Sequence, residues 1–481
     1  MAFRAARAAV VARGLGGTDG FVRAASAALW FARSASSSSL QPAPPSLLGM
    51  GEEALTRLAR DMGQPAYRGK QIHDAIYAMR KSSVDDIKQL PESFREQLVS
   101  AGLEVGRRAP TKVVSSPDGT RKVLIELHCG SVIEAVGIPQ ESPEARDAQS
   151  EAEGMPLYED GDELESDETA SASDDDESRL EDIEGDDGWT RLGSELGARE
   201  REKSGRGRSK REPRNREAFA SSVSRVRRSR FTVCVSSQVG CAMRCSFCAT
   251  GKRGFKRNLS AAEMVNQVLA LEDVFGRRCT NVVMMGMGEP LMNLKQVLIA
   301  HRTLNEDLGI GGRRFTISTV GVPNALSKLA AHALQATLAV SLHAPDQALR
   351  EKLVPSASAY PIEALLEDCR LYKNSTGRRV TFEYTLLAGE NDAPAQARAL
   401  AKTLRSRVGR GCHVNLLPWN PVAGAEHLRP SNAAVRRFSD ALGAERGITH
   451  TVRRTRGLEA DAACGQLTGN FRRATRARRA A

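Results

Sequence analysis

Aromatic residues are scarce, at 5% of the 481 positions, with only three Trp and six Tyr. Burial therefore falls to Ala, Leu and Val within a hydrophobic fraction of 41%, which is enough for a sizeable core. No run of about 18 apolar residues occurs, so no membrane-spanning helix is expected. The nine cysteines are odd in number and lack the spacing of a secreted disulfide scaffold, which points to a reducing compartment. The stretch from Met1 to Leu40 has five Arg and one Asp, but no Lys or Glu. Arg23 and Arg33 bracket too short an apolar segment for a secretory signal. An Arg-, Ala- and Ser-rich, acid-poor start is the composition of an organellar transit peptide, so a mitochondrial matrix or plastid stroma is expected, with the cytoplasm as the alternative.

The net charge of +11 conceals a division. Between Glu141 and Asp187 stand 21 acidic and two basic residues, and between Arg191 and Arg230 stand 14 basic and five acidic ones. Few apolar residues and blocks of like charge predict disorder over this insertion. The rest of the chain carries +21, a surplus suited to a polyanion such as RNA. The C-terminus adds Arg472, Arg473, Arg476, Arg478 and Arg479, suited to phosphate contacts.

Periodicity divides the chain further. Helical spacing from Glu52, over Lys70–Met79 and over Pro91–Ala101 precedes a hairpin pattern, Lys112–Ser116 and Arg121–Leu127 around Pro117-Asp118-Gly119, and a strand over Ser131–Ile138. After Arg230, six apolar strand candidates (Phe231–Ser236, Asn281–Met285, Phe315–Ser318, Thr337–Leu342, Val380–Leu387, His413–Leu417) alternate with helix-length segments. That alternation predicts a parallel sheet with crossover helices, either an open doubly wound sheet or a barrel. Suggestive residues recur at strand C-termini, which favours the barrel. The expected division is a transit-peptide-like segment 1–47, a small α+β accessory domain 48–139, a charged insertion 140–225, an α/β core 226–470 and a basic tail 471–481.

Cys241, Cys245 and Cys248 carry the most chemistry, in a C-x3-C-x2-C loop just after the first core strand. Thiolates suit zinc, copper(I) or iron–sulfur clusters. A closed zinc site wants four ligands, and no fourth Cys or His lies near. On a four-iron cluster, three thiolates would leave one iron open to a ligand. At the end of the second core strand, Met284-Met285-Gly286-Met287-Gly288-Glu289-Pro290 supplies glycines that let backbone approach a ligand and a carboxylate to accept from an amine or hydroxyl.

These two features together resemble the radical S-adenosylmethionine (SAM) superfamily. The runs Cys234-Val-Ser-Ser-Gln-Val-Gly-Cys241, NVVMMGMGEP, AVSLHAP, NLLPWNP and DAACGQL are similar to one of its families, the dual-specificity RNA methyltransferases, which act at C2 of adenosine in 23S-type rRNA and in tRNA. The likeness spans about Gly49–Ile138 and Phe231–Gly469. It implies a partial (β/α)6 radical-SAM barrel. It also implies a [4Fe–4S] cluster on Cys241, Cys245 and Cys248, with SAM used twice per turnover. Gly288, Glu289, Ser318, Ser341, Leu342, His343 and Asn420 would bind SAM.

The resemblance further implies a methyl group placed first on Cys464, a 5′-deoxyadenosyl radical that activates it, and addition of the resulting carbon radical to C2. Glu134 would accept the C2 proton from the protein–RNA adduct. Cys234 would then resolve that adduct through a transient disulfide with Cys464. By pattern alone, Glu134 would face solvent and Cys234 would be a buried apolar thiol. Cys129, Cys279, Cys369 and Cys412 have no motif and read as structural. The implied partners are rRNA and tRNA, with an electron donor such as flavodoxin or ferredoxin, and a monomer is expected. Two other readings are a C8-adenosine methyltransferase of the same superfamily and a non-catalytic iron–sulfur RNA-binding protein.

Overall fold

The computed structural model describes residues 45–140 and 230–469. Residues 1–44 of the transit-peptide-like segment, the charged insertion beyond Gln140 and the basic tail lie outside the described residues, while Leu47, at the segment's end, is already buried. Ten strands form one sheet in chain order. Strands β1 (Lys112–Ser115), β2 (Arg121–Glu126) and β3 (Val132–Pro139) pair antiparallel, and β3 continues antiparallel onto β4 (Phe231–Cys234). The accessory hairpin and the core therefore share one sheet. Beside it lies a small two-stranded ribbon of β5 (Gln238–Gly240) and β6 (Phe255–Asn258).

From β4 onward the main sheet is parallel: β7 (Asn281–Met284), β8 (Phe315–Thr319), β9 (Thr337–Ser341), β10 (Val380–Leu386), β11 (Cys412–Pro418) and β12 (Ile448–Val452). Parallel neighbours need crossovers, and most here are helices: α1 (Ala261–Phe275), α2 (Leu294–Arg302), α3 (Ala325–Ala330), α4 (Gln347–Leu353), α5 (Ile362–Thr376), α6 (Pro394–Arg407) and α7 (Asn432–Gly443). Among the described residues β1 and β12 are the unpaired sheet edges, so the barrel is partial.

Local chemistry sets the element limits. Ser260 and Glu263 form a reciprocal capping box on α1, and Gly276 ends it in the left-handed conformation. This helix lies so close to β3 that a Cβ on Gly137 would stand 2.5 Å from the Phe275 ring. Five elements depart from the sequence pattern. Strand β12 carries Thr449, His450 and Thr451 between its apolar ends and shows no apolar run. Ribbon strands β5 and β6 are three and four residues long and largely polar. The seven-residue α4 starts on Asp346, whose side chain accepts from Leu349 N. Between Val322 and Ala333 only α3 is helical, because Asn324 and Ala333 take positive φ.

The insertion leaves and re-enters at one point. Gln140 N donates to the Arg230 carbonyl at 2.9 Å, and Arg230 N donates to Gln140 Oε1 at 2.9 Å. Loop-closure cost grows slowly with length, so a long insertion between paired strands is tolerated.

Candidate active site

The cysteine loop runs from β5 to β6, and its backbone is tightly specified. Cys241 N donates to the Gly254 carbonyl, Cys248 N to Cys245 O, and Ala249 N to Gly465 O at 2.7 Å. Trp419 Nε1 donates to Phe247 O at 3.0 Å. A Cβ on Gly240 would lie 1.9 Å from Gly254 O, so the loop's entry needs glycine. The loop forms one wall of a cleft at the C-terminal ends of the parallel strands, which the three cysteines line.

The other walls come from successive strand ends. Gly288 (φ +106) sits where a Cβ would meet Gln238 at 2.5 Å, which holds the β7 end against β5. Glu289 is 1% exposed, and its two oxygens accept from Leu291 N at 2.9 Å and Val320 N at 2.8 Å. Burial pushes its carboxyl up to about 7, against those two backbone bonds. Ser318 and Ser341 line the cleft from β8 and β9.

His343 follows in a left-handed conformation, φ 61. Its Nδ1 accepts from Thr385 N at 3.0 Å, which leaves the proton on Nε2. Burial, helped by the Arg350 charge, drives its pKa down to about 3, so the ring is a neutral donor. Leu342 is not part of the lining. It lies in the core, and its backbone N donates to Glu383 O.

Cys464 stands at the cleft mouth. The residue is exposed, yet the walls around its sulfur desolvate it and hold its pKa up at about 11, with Arg453 acting against them. Asn420 Nδ2 donates to the Cys464 carbonyl at 3.2 Å, while Asn420 Oδ1 accepts from Arg429 and Thr455. Cys234, at the end of β4, lies outside the lining but within electrostatic reach of Cys464; burial pushes it up to about 12. Among the described residues every cysteine is a free thiol, this pair included, so the expected disulfide is not formed.

Glu134 departs furthest from its pattern. It is 1% exposed rather than solvent-facing. Its carboxylate accepts from Thr468 N, Thr468 Oγ1 and Gly469 N, with Lys122 Nζ at 3.6 Å, and so fastens the segment after Cys464. Its carbonyl accepts from Ser236 Oγ at 2.6 Å, next to Cys234. The reason is topological: pairing on both edges of β3 places position 134 under the C-terminal segment.

Three further residues line this cleft; Glu383 and Thr385 carry no motif, and Trp419 lies within the NLLPWNP run. Glu383 and Thr385 enter from β10 and Trp419 from the end of β11. Glu383 is 3% exposed, and one of its oxygens accepts from Asn415 Nδ2 at 2.9 Å while the other has no partner. Its one sequence signal is a charge inside the otherwise unbroken strand VTFEYTL.

Comparison with known proteins accounts for this geometry. Residues 235–400 match the radical SAM superfamily model. A protein of Synechococcus sp. named "probable dual-specificity RNA methyltransferase RlmN" is 42% identical over 432 residues, covering 89% of this chain and 97% of its own. Its namesake from Gloeobacter violaceus is 42% identical over 421 residues, covering 88% and 94%. The chain belongs to the RlmN family of radical SAM RNA methyltransferases. A crystal structure of a radical SAM methyltransferase from Sphaerobacter thermophilus superposes with a TM-score of 0.66 at 35% identity, over 89% of this chain and all of that one.

The superfamily's cofactors are a [4Fe–4S] cluster and SAM, and the residues present fit them. Burial pushes Cys241 up to about 12 and Cys245 well above its ordinary value, so both thiols need a bound metal to lose their protons. Among the described residues no three such side chains converge on a single ion. A multi-iron cluster needs no such convergence, because each thiolate takes a different iron.

Proposed function

We propose that this protein methylates C2 of a specific adenosine in 23S-type large-subunit rRNA and in tRNA anticodon loops, with Cys464 carrying the methyl group. The observation that carries this reading is the second pair of thiols. Cys464 opens on the same cleft as the three loop cysteines, and it acts electrostatically on Cys234 at the end of β4. Cluster formation alone requires neither.

In this reading Cys241, Cys245 and Cys248 hold the cluster. Gly288, Glu289, Ser318, Ser341, Leu342, His343 and Asn420 bind SAM, with Leu342 contributing through its backbone. When bound, the cluster and SAM together supply the hydrogen-atom abstraction that activates a methyl carried on sulfur. The chain's own residues do the rest. The Cys464 sulfur takes the methyl of one SAM, with S-adenosylhomocysteine as the leaving group, and holds it at the cleft mouth. Adenine C2 is electrophilic and accepts the activated carbon carried on that sulfur. This leaves a base–protein radical adduct that must give up one electron, for which the oxidised cluster would be the acceptor. Glu134 takes the C2 proton once the Thr468–Gly469 segment that caps it has moved. The Cys234 sulfur then attacks the Cys464 sulfur, forming an S–S bond as the carbon–sulfur bond breaks. The thiol's proton passes to the freed carbon to complete the methyl group of the released base. The disulfide is returned to thiols by an external reductant.

The Arg-rich, acid-poor N-terminus supports import into an organelle, and a flavodoxin- or ferredoxin-type donor suits a cluster that must be reduced. The test is anaerobic reconstitution with reductant, SAM and organellar rRNA or tRNA, followed by mass spectrometry of the nucleosides. 2-Methyladenosine is expected. Finding only 8-methyladenosine would reject the C2 assignment, and finding neither product nor 5′-deoxyadenosine would reject radical chemistry.

A further inference from the structure

Arg350 heads the fully buried side chains by size and is 1% exposed. It enters from the middle of α4, where Nη2 donates to Val320 O at 2.6 Å and Nη1 to Tyr360 O at 3.3 Å. Its Nε has no partner. The groups whose negative charge would act on it are the Cys245 and Cys369 thiols and the Tyr360 phenol, and no carboxylate is among them. Burial holds Cys369 and Tyr360 protonated. Of these three, Cys245 alone belongs to the cysteine loop.

The surroundings tie this arginine to the cysteine loop. The Leu353 carbonyl, at the end of α4, accepts from Ser246 N at 3.0 Å and Ser246 Oγ at 3.3 Å, one residue beyond Cys245. Leu353 and Val354 share a buried cluster with Cys241 and Cys245. Val320, whose carbonyl Arg350 binds, donates its N–H to Glu289. The guanidinium therefore stands behind two walls of the cleft. Backbone carbonyls satisfy some of its donors but supply no counter-charge, and a buried cation is retained where an anion meets it.

We propose that Arg350 is the fixed counter-cation of the cluster held by Cys241, Cys245 and Cys248, and that its charge raises the cluster's reduction potential. This rests on the cluster reading of those cysteines. Reduction adds one negative charge to the cluster, and a positive charge locked in a low-dielectric wall favours that added electron. Arg350 is a positioning residue, since it acts on the cluster through Cys245.

The test is a redox titration of the full-length chain, reconstituted without SAM and followed by electron paramagnetic resonance. Iron content and circular dichroism are measured on each sample. R350M with full iron is expected to need a potential lower by about 59 mV, the one-electron equivalent of a tenfold change in the reduced-to-oxidised ratio. R350K keeps the charge while losing the two-carbonyl fork, and is expected to stay close to the parent. An unchanged potential in iron-replete R350M overturns the proposal, as does an equal shift in R350K, which would assign the effect to the fork. Should R350M not retain its cluster, R350K and R350Q are compared instead, with the same split expected and its absence equally decisive. A parent chain that takes up no iron removes the cluster reading itself, an outcome distinct from an unmoved potential.

Discussion

The three cysteines of the loop and Cys464 line one cleft, with Cys234 outside its lining, and the two sets arrive by different routes. Cys241, Cys245 and Cys248 lie within eight residues, on a loop held by its own backbone hydrogen bonds and by glycines where a side chain would collide. Cys234 and Cys464 are 230 residues apart in sequence. Cys234 depends on the pairing of β4 with β3 and β7, and Cys464 on a terminal segment pinned by Asn420, Glu134 and Thr250. Metal binding is therefore a local property of this chain, and carbon transfer a property of its whole topology.

The largest effect should come from the local set. Cys245→Ala is expected to lower iron to background and methylation below detection while leaving the circular dichroism of the fold in place. Iron analysis with single-turnover assays checks this; retained iron would break the assignment of the trio.

The distant pair should behave in the opposite way. Cys464→Ala is expected to keep full iron and to give no methylated nucleoside. Cys234→Ala is expected to keep iron and to accumulate a protein–RNA crosslink, visible on a denaturing gel. Free turnover by the Cys234 variant would remove its resolving role, and loss of iron in either variant would erase the contrast between the two sets.

An intermediate effect belongs to the wall behind the trio. His343 is held near 3 in the folded protein against an ordinary 6.5. Between those values the unfolded chain binds a proton that the folded one refuses, so stability falls as pH drops from 6.5 toward 3. At its steepest the loss is about 1.4 kcal/mol per pH unit. His343→Gln, which can still accept from Thr385 N, should flatten that slope in acid denaturation curves. An unchanged slope would mean that His343 is not the acid-sensitive group of this wall.

The same contrast explains what was legible in the sequence. The trio, the glycine-rich β7 end and the helix α1 with its Ser260 and Glu263 cap depend on neighbours in sequence, and each is visible as a pattern. So are the apolar strands of the barrel, because both faces of a parallel sheet are covered. Glu134 could not be placed by pattern, since its burial comes from β2, β4 and the C-terminal segment meeting around it. Glu383 is one charge in an apolar strand, and Arg350 lies on a short helix that no sequence pattern marked; only the fold turns both inward. Strand β12 was silent because its middle residues, Thr449 to Thr451, bond sideways to Cys412, His413, Asn415 and Ser439 instead of forming an apolar face.

The smallest effect tests how Cys464 is held. Asn420 is a SAM-binding position by family likeness, yet here its amide nitrogen serves the Cys464 carbonyl. In Asn420→Ala, Arg429 keeps the Trp419 carbonyl and Thr455, so the loss falls on the Cys464 segment. Gln466 still anchors that segment through Pro421 O and Ala463 N. Of the three side-chain bonds lost, the one to that segment has a net worth of about 1 kcal/mol, roughly fivefold in methyl transfer. Iron content should not move, because the loop carrying the trio makes no bond to Asn420. If Asn420 acts on the thiol segment, methylation of Cys464 slows while SAM affinity, measured by equilibrium dialysis, holds. If it acts on the cofactor, affinity falls instead and the rate at saturating SAM recovers. The second result would move Asn420 from the topological half of the cleft to the local one.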